Sequence, residues 1–244
     1  MRILTAPQVK TALPMDQAIE AMNLAYASLS SGNAEVPLRS RIEIEDHAGT
    51  ILFMPAKATT ITGTGVSIKV VSVYPNNPNF GKPTIHASML IIDEKDGRML
   101  AMLEGATLTA IRTGAGSGVA TDLLAKADSK VVAIIGSGAQ AKTQLEAVCE
   151  VRDIETVFVY SPNTENATTF SKEIAGIASI PKTIHVVKSA DEAISQADII
   201  CTATNSSTPV FSSNAVKPGT HINAVGSFTK NMQEIPNETM VNGS

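Results

Sequence analysis

Ile134-Ile135-Gly136-Ser137-Gly138-Ala139-Gln140-Ala141 closes the apolar run Val131 to Ile135 and opens a helix-patterned stretch from Gln140 to Cys149. Its form is G-x-G-x-x-A between a buried strand and a helix, the setting in which such a turn cradles phosphate. Gly136 permits the tight turn, and Gly138 has no side chain to hold a pyrophosphate away from the backbone. Ala141 lets the helix pack close to the strand, so that phosphates meet the helix N-terminus and its free N–H groups. Gly-x-Gly also makes ordinary turns; the flanking strand and helix carry the reading.

Downstream of that turn, strands and helices alternate. Thr156 to Tyr160 reads as a second strand, Thr164 to Ala175 as a second helix and Thr183 to Val187 as a third strand. Ser189-Ala190-Asp191-Glu192 is a capping box opening a third helix, and Asp198 to Thr202 and His221 to Val225 supply two more strands. Strands separated by helices predict right-handed parallel crossovers and a doubly wound, Rossmann-type parallel sheet, hence an α/β fold.

Upstream, the pattern is mixed. Thr5 with Gln8 predicts a capped short helix, and a longer one starts near Pro14, a good first-turn residue, and ends at Gly32. Extended segments follow at Ile51 to Met54, Gly65 to Tyr74 and Ser88 to Asp93, with a loop at Tyr74 to Asn79 and a hairpin turn at Asp96-Gly97. A small-residue helix is expected from Thr113 to about Ala125. The domain expectation is therefore residues 1–113 as an α+β domain and 114–244 as the Rossmann domain.

Composition narrows the class. Of 244 residues, 43% are apolar and 4% aromatic with no Trp, so the core rests on aliphatic side chains, as covered parallel strands require. A net charge of −4 gives no basic field for nucleic acid, and no Lys/Arg cluster points to a membrane surface. The two cysteines, Cys149 and Cys201, lack metal or disulfide spacing, and the N-terminus lacks a signal-peptide run, so a reducing, cytoplasmic setting is expected. No metal site is expected: no pair among His47, His86, His185 and His221 has metal-ligand spacing. Only His86, after Pro83-Thr84-Ile85, stands near the candidate site. Glu104, before Gly105, reads as a solvated turn.

The ribose end of the cofactor is less decided. NAD-binding folds place Asp or Glu at the end of the second strand, whereas here Tyr160 is followed by Ser161-Pro162-Asn163-Thr164. Hydroxyl and amide groups tolerate a 2′-phosphate, though no Arg clamps one, so the sequence leans to NADP over NAD or to dual use. Thr202-Ala203-Thr204 and Val225-Gly226 lie at the ends of later strands, on the carboxyl edge where cofactor sites form.

Cations mark the first domain. Arg39 and Arg41 share one face of an extended segment. Lys69 sits inside Val66 to Val71, unremarkable on an edge strand but costly in a covered sheet. Arg112 lies at the domain junction. Arginine grips carboxylates bidentately, so the set points to an anionic, amino- or keto-acid-like ligand, although a surface ion pair is the simpler account of each residue alone.

Taken together, Pro37-Leu38-Arg39, Phe53-Met54-Pro55-Ala56, Ser67-Ile68-Lys69, Leu108 to Thr113, Gly136 to Gln140 and Asn223-Ala224-Val225-Gly226 resemble the ornithine cyclodeaminase/mu-crystallin family. The resemblance covers essentially the whole chain. It implies a Rossmann domain beside a second domain for substrate binding and homodimerisation. It also implies that Arg39 and Arg112 grip a substrate carboxylate, that Lys69 lies beside the reacting carbon and nitrogen, and that Thr113, Ala139 and Gln140 adjoin the cofactor. Arg41 has no counterpart, and no residue presents itself as general acid.

Two departures qualify that expectation. Cyclodeaminases of the family follow Ala-Val-Gly with Gly-Asp, whereas this chain reads Val225-Gly226-Ser227-Phe228. A phenyl ring can neither accept a proton nor pair with an ammonium, which favours reduction of cyclic imino acids over ornithine cyclisation. In the reverse sense the same chemistry would be that of an amino-acid dehydrogenase, and the remaining alternatives are cyclodeaminase proper and a nucleotide-bound, crystallin-like protein without turnover. Family chains also continue beyond Ser244, so a Rossmann strand and the helices completing the first domain are expected to be missing.

Overall fold

A computed structural model describes residues 1–243. The chain divides into two compact units, Met1–Arg112 and Thr113–Ser244.

The first unit comprises β1 (Arg2–Leu4), α1 (Ala6–Ala12), α2 (Met15–Ser30), β2 (Ala34–Glu35), β3 (Ser40–Ile44), β4 (Gly49–Thr60), β5 (Gly63–Val73), β6 (Ile85–Ile92) and β7 (Met99–Glu104). Its seven-stranded sheet runs β1-β7-β6-β5-β4-β2, with β3 also paired to β4. Only β1–β7 is parallel. Gln8 Oε1 accepts the Thr5 N–H at 2.9 Å, so the predicted cap of α1 forms. Pro14 caps α2 from outside its first turn, in extended conformation, where it was expected within that turn.

One boundary differs more. The helix expected at Thr113 begins earlier, as α3 (Gly105–Leu124), and carries the chain from the first unit into the second. Glu104 explains the start: its carboxylate accepts the N–H groups of Ala106 and Thr107, both at 2.8 Å, satisfying donors of the first turn. Reading Glu104 as a solvated turn is thereby corrected. The capping bonds hold its carboxyl below the ordinary value, against the opposing effect of burial.

The second unit holds β8 (Val131–Ile135), α4 (Ala139–Val151), β9 (Thr156–Tyr160), α5 (Thr164–Ile174), β10 (Ile184–Val186), α6 (Ala190–Ile194), β11 (Ile199–Thr202), β12 (His221–Ala224) and α7 (Asn237–Asn242). All its strand pairs are parallel, in the order β10-β9-β8-β11-β12. Renumbered within the unit this is 3-2-1-4-5, the Rossmann order, whose switch point lies between β8 and β11.

Alternate residues of β8 feed two cores. Val132 and Ile134 pack with Leu145, Val148 and Phe170, whereas Ala133 and Ile135 pack with Ile194, Ile200 and Phe211. Burial on both faces is what an unbroken apolar strand demands. The amino edge of the sheet is tied by Asp198, which accepts Lys130 N–H and Val131 N–H at 3.0 Å. Arg152 closes the far end of α3 by donating to the carbonyls of Thr121, Asp122 and Ala125, each at 2.9 Å. Among the described residues no helix is long and apolar enough to cross a membrane, and no His, Cys, Asp and Glu group gathers to hold a metal.

Candidate active site

At the switch point of the second unit, Gly136 has φ +113°, a conformation that L side chains rarely adopt. A Cβ there would also lie 2.5 Å from the Ala203 carbonyl oxygen. Gly138 plays a different part. It is the N-cap of α4, no side chain caps that helix, and a Cβ on Gly138 would meet nothing within 4 Å. The turn is thus an open cradle over an uncapped helix terminus, with Ala139 as the first helical residue. Within that first turn, Gln140 Oε1 is buried and has no hydrogen-bond partner among the described residues. Open space, free N–H groups and an orphaned acceptor fit a dinucleotide's pyrophosphate and its hydroxyls.

Ser161, half-buried, directly follows β9. Asn163 is committed elsewhere: its side chain accepts from Glu165 N–H at 2.9 Å and Asn166 N–H at 3.1 Å, capping α5. Of the polar groups expected at this strand end, the Asn163 amide oxygen serves the helix, leaving the Ser161 and Thr164 hydroxyls.

The ends of β11 and β12 hold a residue that sequence reasoning missed. Glu234, 1% exposed, accepts from Thr202 Oγ1 at 2.9 Å and Gly226 N–H at 2.7 Å through Oε2. Its Oε1 accepts from Thr204 N–H at 2.6 Å and Thr204 Oγ1 at 2.7 Å. Thr202 is fully buried, so its place among direct cofactor contacts is corrected: its hydroxyl supports Glu234. The Thr204 hydroxyl proton is likewise spent on that carboxylate. Ala203 and Val225 continue the strands through Ala203 N–H to Ile135 O and Val225 N–H to Thr202 O. No local pattern marks Glu234, because its threonine partners lie 30 and 32 residues away.

The first unit gathers the cations. Lys69 lies on β5 with Met54 and Met89 as its lateral neighbours on β4 and β6. Arg39 immediately precedes β3, and Arg112 rides on α3. Burial lowers the Lys69 pKa, and the positive charges of Arg112 and then Arg39 lower it further. Arg112 is itself lowered, by burial first, with the Tyr26 hydroxyl acting in the opposite sense. None of Arg39, Lys69 and Arg112 forms an ion pair among the described residues. Lys69 thus lies within electrostatic reach of both arginines, and no carboxylate is ion-paired with any of the three among the described residues, a pattern concentrated at functional sites.

Two residues that the sequence sets beside these cations part from them in different ways: Arg41, on the Lys69 face of the sheet through Leu52 and Val71, is ion-paired, and His86 lies on the other face. Arg41 pairs with Glu43, whose other oxygen accepts from Thr50 Oγ1 at 2.7 Å. His86 lies opposite Ser72, and three residues along β5 from Lys69 means the other face of the sheet, so its placement near the site is corrected. Thr113 follows Arg112 on α3, and its carbonyl accepts from Gln144 Nε2 at 3.2 Å. Phe228, 71% exposed, stands two residues past Gly226.

A parallel sheet in Rossmann order with an open glycine cradle, together with a unit carrying an unpaired cationic trio, defines a dinucleotide-binding oxidoreductase class. The family model described as "Ornithine cyclodeaminase/mu-crystallin family" matches residues 1–243, and the chain belongs to that family. It is 43% identical over 244 residues to Δ1-pyrroline-2-carboxylate reductase of Bacillus cereus, covering 100% of this chain and 74% of that protein. Among solved structures, Thermococcus litoralis Δ1-pyrroline-2-carboxylate reductase in complex with NADH and L-proline superposes with TM-score 0.89 at 44% identity, covering 98% of this chain and 73% of that one. An archaeal alanine dehydrogenase dimer with bound NAD superposes with TM-score 0.85 at 34% identity, covering 98% and 71%. The family expected from the sequence motifs is therefore the family found.

Proposed function

We propose that the chain is an NAD(P)-dependent reductase of cyclic imino acids, converting Δ1-pyrroline-2-carboxylate to proline, with the six-membered Δ1-piperideine-2-carboxylate as a related substrate. The observation that carries this reading is the Arg39–Lys69–Arg112 cluster, positively charged and without a carboxylate partner, in a chain 43% identical to such a reductase. A reduced nicotinamide supplies the hydride that the imine carbon accepts. Arg39 and Arg112 hold the substrate carboxylate, fixing the ring so that one face of the C=N bond is presented. Lys69, its pKa lowered by burial and by the two arginines, orients the ring and relays to the nitrogen the proton that completes the amine. Thr113 adjoins the cofactor from the residue after Arg112.

The cradle Gly136, Gly138, Ala139 and Gln140 takes the pyrophosphate, and Ala203, Thr204, Val225 and Gly226 form the rim beyond it. NADH and NAD in the relatives' structures make NAD(H) the reference cofactor. Ser161, with no acid from 161 to 164, supports acceptance of NADPH as well and the preference for it that the sequence favours. Phe228, in the place of the family cyclodeaminases' aspartate, weighs against ornithine cyclisation. The dimeric state of the archaeal alanine dehydrogenase supports a homodimer, and two free, buried thiols suit a reducing, cytoplasmic compartment.

The test is oxidation of NADH and of NADPH with Δ1-pyrroline-2-carboxylate, alongside ammonia release from ornithine. Cofactor oxidation without ammonia is the expected outcome, with NADPH used at least as well as NADH. Ammonia release without cofactor consumption overturns the reductase reading.

A further inference from the structure

We propose that Glu234 is a positioning residue of the dinucleotide site, locking the carboxyl ends of β11 and β12 into the one arrangement that binds cofactor. This rests on the dinucleotide reading of the second unit. Four donors converge on the carboxylate, two on each oxygen. The approach is close enough that a Cβ on Gly226 would lie 2.1 Å from Thr204 O and 2.4 Å from Glu234 Oε1. Glu234 is itself pinned, with its carbonyl accepting from Val210 N–H at 2.9 Å and its neighbour Gln233 N–H donating to Ser206 O at 3.0 Å. The network continues outward, because Thr204 Oγ1 accepts from Ser206 N–H at 3.2 Å. Thr204 and Gly226 both belong to the cofactor rim, so a carboxylate that never reaches the surface sets the position of backbone that does.

The chemistry singles out a carboxylate. Each oxygen faces one backbone N–H, Thr204 on Oε1 and Gly226 on Oε2, and an N–H cannot reverse its role. A glutamine has one oxygen and one amino group, so either orientation sets donor against donor at one strand end. Asp198 provides a comparison: another carboxylate accepting two backbone N–H groups, at the amino edge of the same sheet, but with both on the single oxygen Oδ2.

The experiment is titration of the full chain with NADH, followed by nicotinamide fluorescence, beside thermal melting without nucleotide. Glu234→Gln is expected to weaken NADH binding at least tenfold. Asp198→Ala, which removes the shared acceptor of both N–H groups, is expected to lower the melting temperature and leave NADH binding within twofold of the starting protein. Thr202→Val keeps shape in a residue with no exposed surface, and a threefold or greater weakening there has to be relayed through Glu234. That variant decides the matter if Glu234→Gln does not fold. Wild-type affinity in both folded Glu234→Gln and Thr202→Val, or equal weakening in Asp198→Ala, overturns the proposal. Failure of the unsubstituted protein to bind either NADH or NADPH instead overturns the dinucleotide reading beneath it.

Discussion

In the second unit every residue from Val132 to Ile135 is at most 1% exposed, and its neighbours fill cores on both sides of the sheet. In the first unit the buried apolar residues are Val9, Met15, Ala18 and Ile111, and within its strands only Gly49 is buried among the described residues. Three charged groups on each side divide the other way. In the second unit Glu234, Asp198 and Arg152 have their hydrogen-bonding capacity met by specific partners. In the first, Arg39, Lys69 and Arg112 have no ion-pair partner among the described residues. Packing is concentrated in one unit, while the other leaves three cations without carboxylate partners among the described residues.

That contrast is most exposed to failure through core substitutions. Phe170→Ala, at a side chain 1% exposed, is expected to cost about 3–5 kcal/mol in denaturant unfolding. Leu38→Ala in the first unit, at a side chain 95% exposed, is expected to change stability by less than about 0.5 kcal/mol. Comparable losses from both would mean that the first unit carries packing its exposure does not reveal.

Within the second unit, two glycines two residues apart separate fold from function. Gly136→Ala forces a side chain into φ +113° and against the Ala203 carbonyl, which costs about 1–3 kcal/mol from backbone strain alone and lowers the melting temperature. Gly138→Ala is unstrained, at φ −85° with open space around the new methyl, and leaves the melting temperature unchanged. The methyl occupies the cradle, so NADH binding is expected to weaken about tenfold, corresponding to about 1.4 kcal/mol. Unchanged affinity in Gly138→Ala would place the phosphates elsewhere.

The difference between the units also explains what was legible beforehand. Strands buried on both faces leave continuous apolar runs, so β8, β9 and β11 and the glycine turn stood out from the chain itself. β1 did not, because three residues pairing in parallel with β7 carry no local pattern. The start of α3 was hidden by Thr107, Thr109, Ile111 and Thr113, poor helix formers that Glu104 and the surrounding structure override. The three cations were visible as residue types, but their meeting depends on strand register and on that early helix start. Register also removed His86, since parity along β5 and β6 is settled only when the pairing is known. Glu234 was invisible for the same reason: its role exists only where β11 and β12 end side by side.

The smallest expected effect tests the charge side of the contrast. Folding lowers the Lys69 pKa below the ordinary lysine value of about 10.4. Over the window between the folded value and the ordinary one, the unfolded chain binds a proton that the folded chain has released. The unfolding free energy therefore rises with pH across that window, and below it the folded state carries the full cost of the crowded charge. In Lys69→Met this alkaline rise is expected to vanish, with stability at neutral pH equal to or above that of the starting protein. On the proposed function, saturating L-proline is expected to supply a carboxylate, raise the Lys69 pKa and flatten the slope without any substitution. A slope insensitive to both changes would mean that Lys69 is not held against Arg112 and Arg39, and the first unit would lose its claim to the anion.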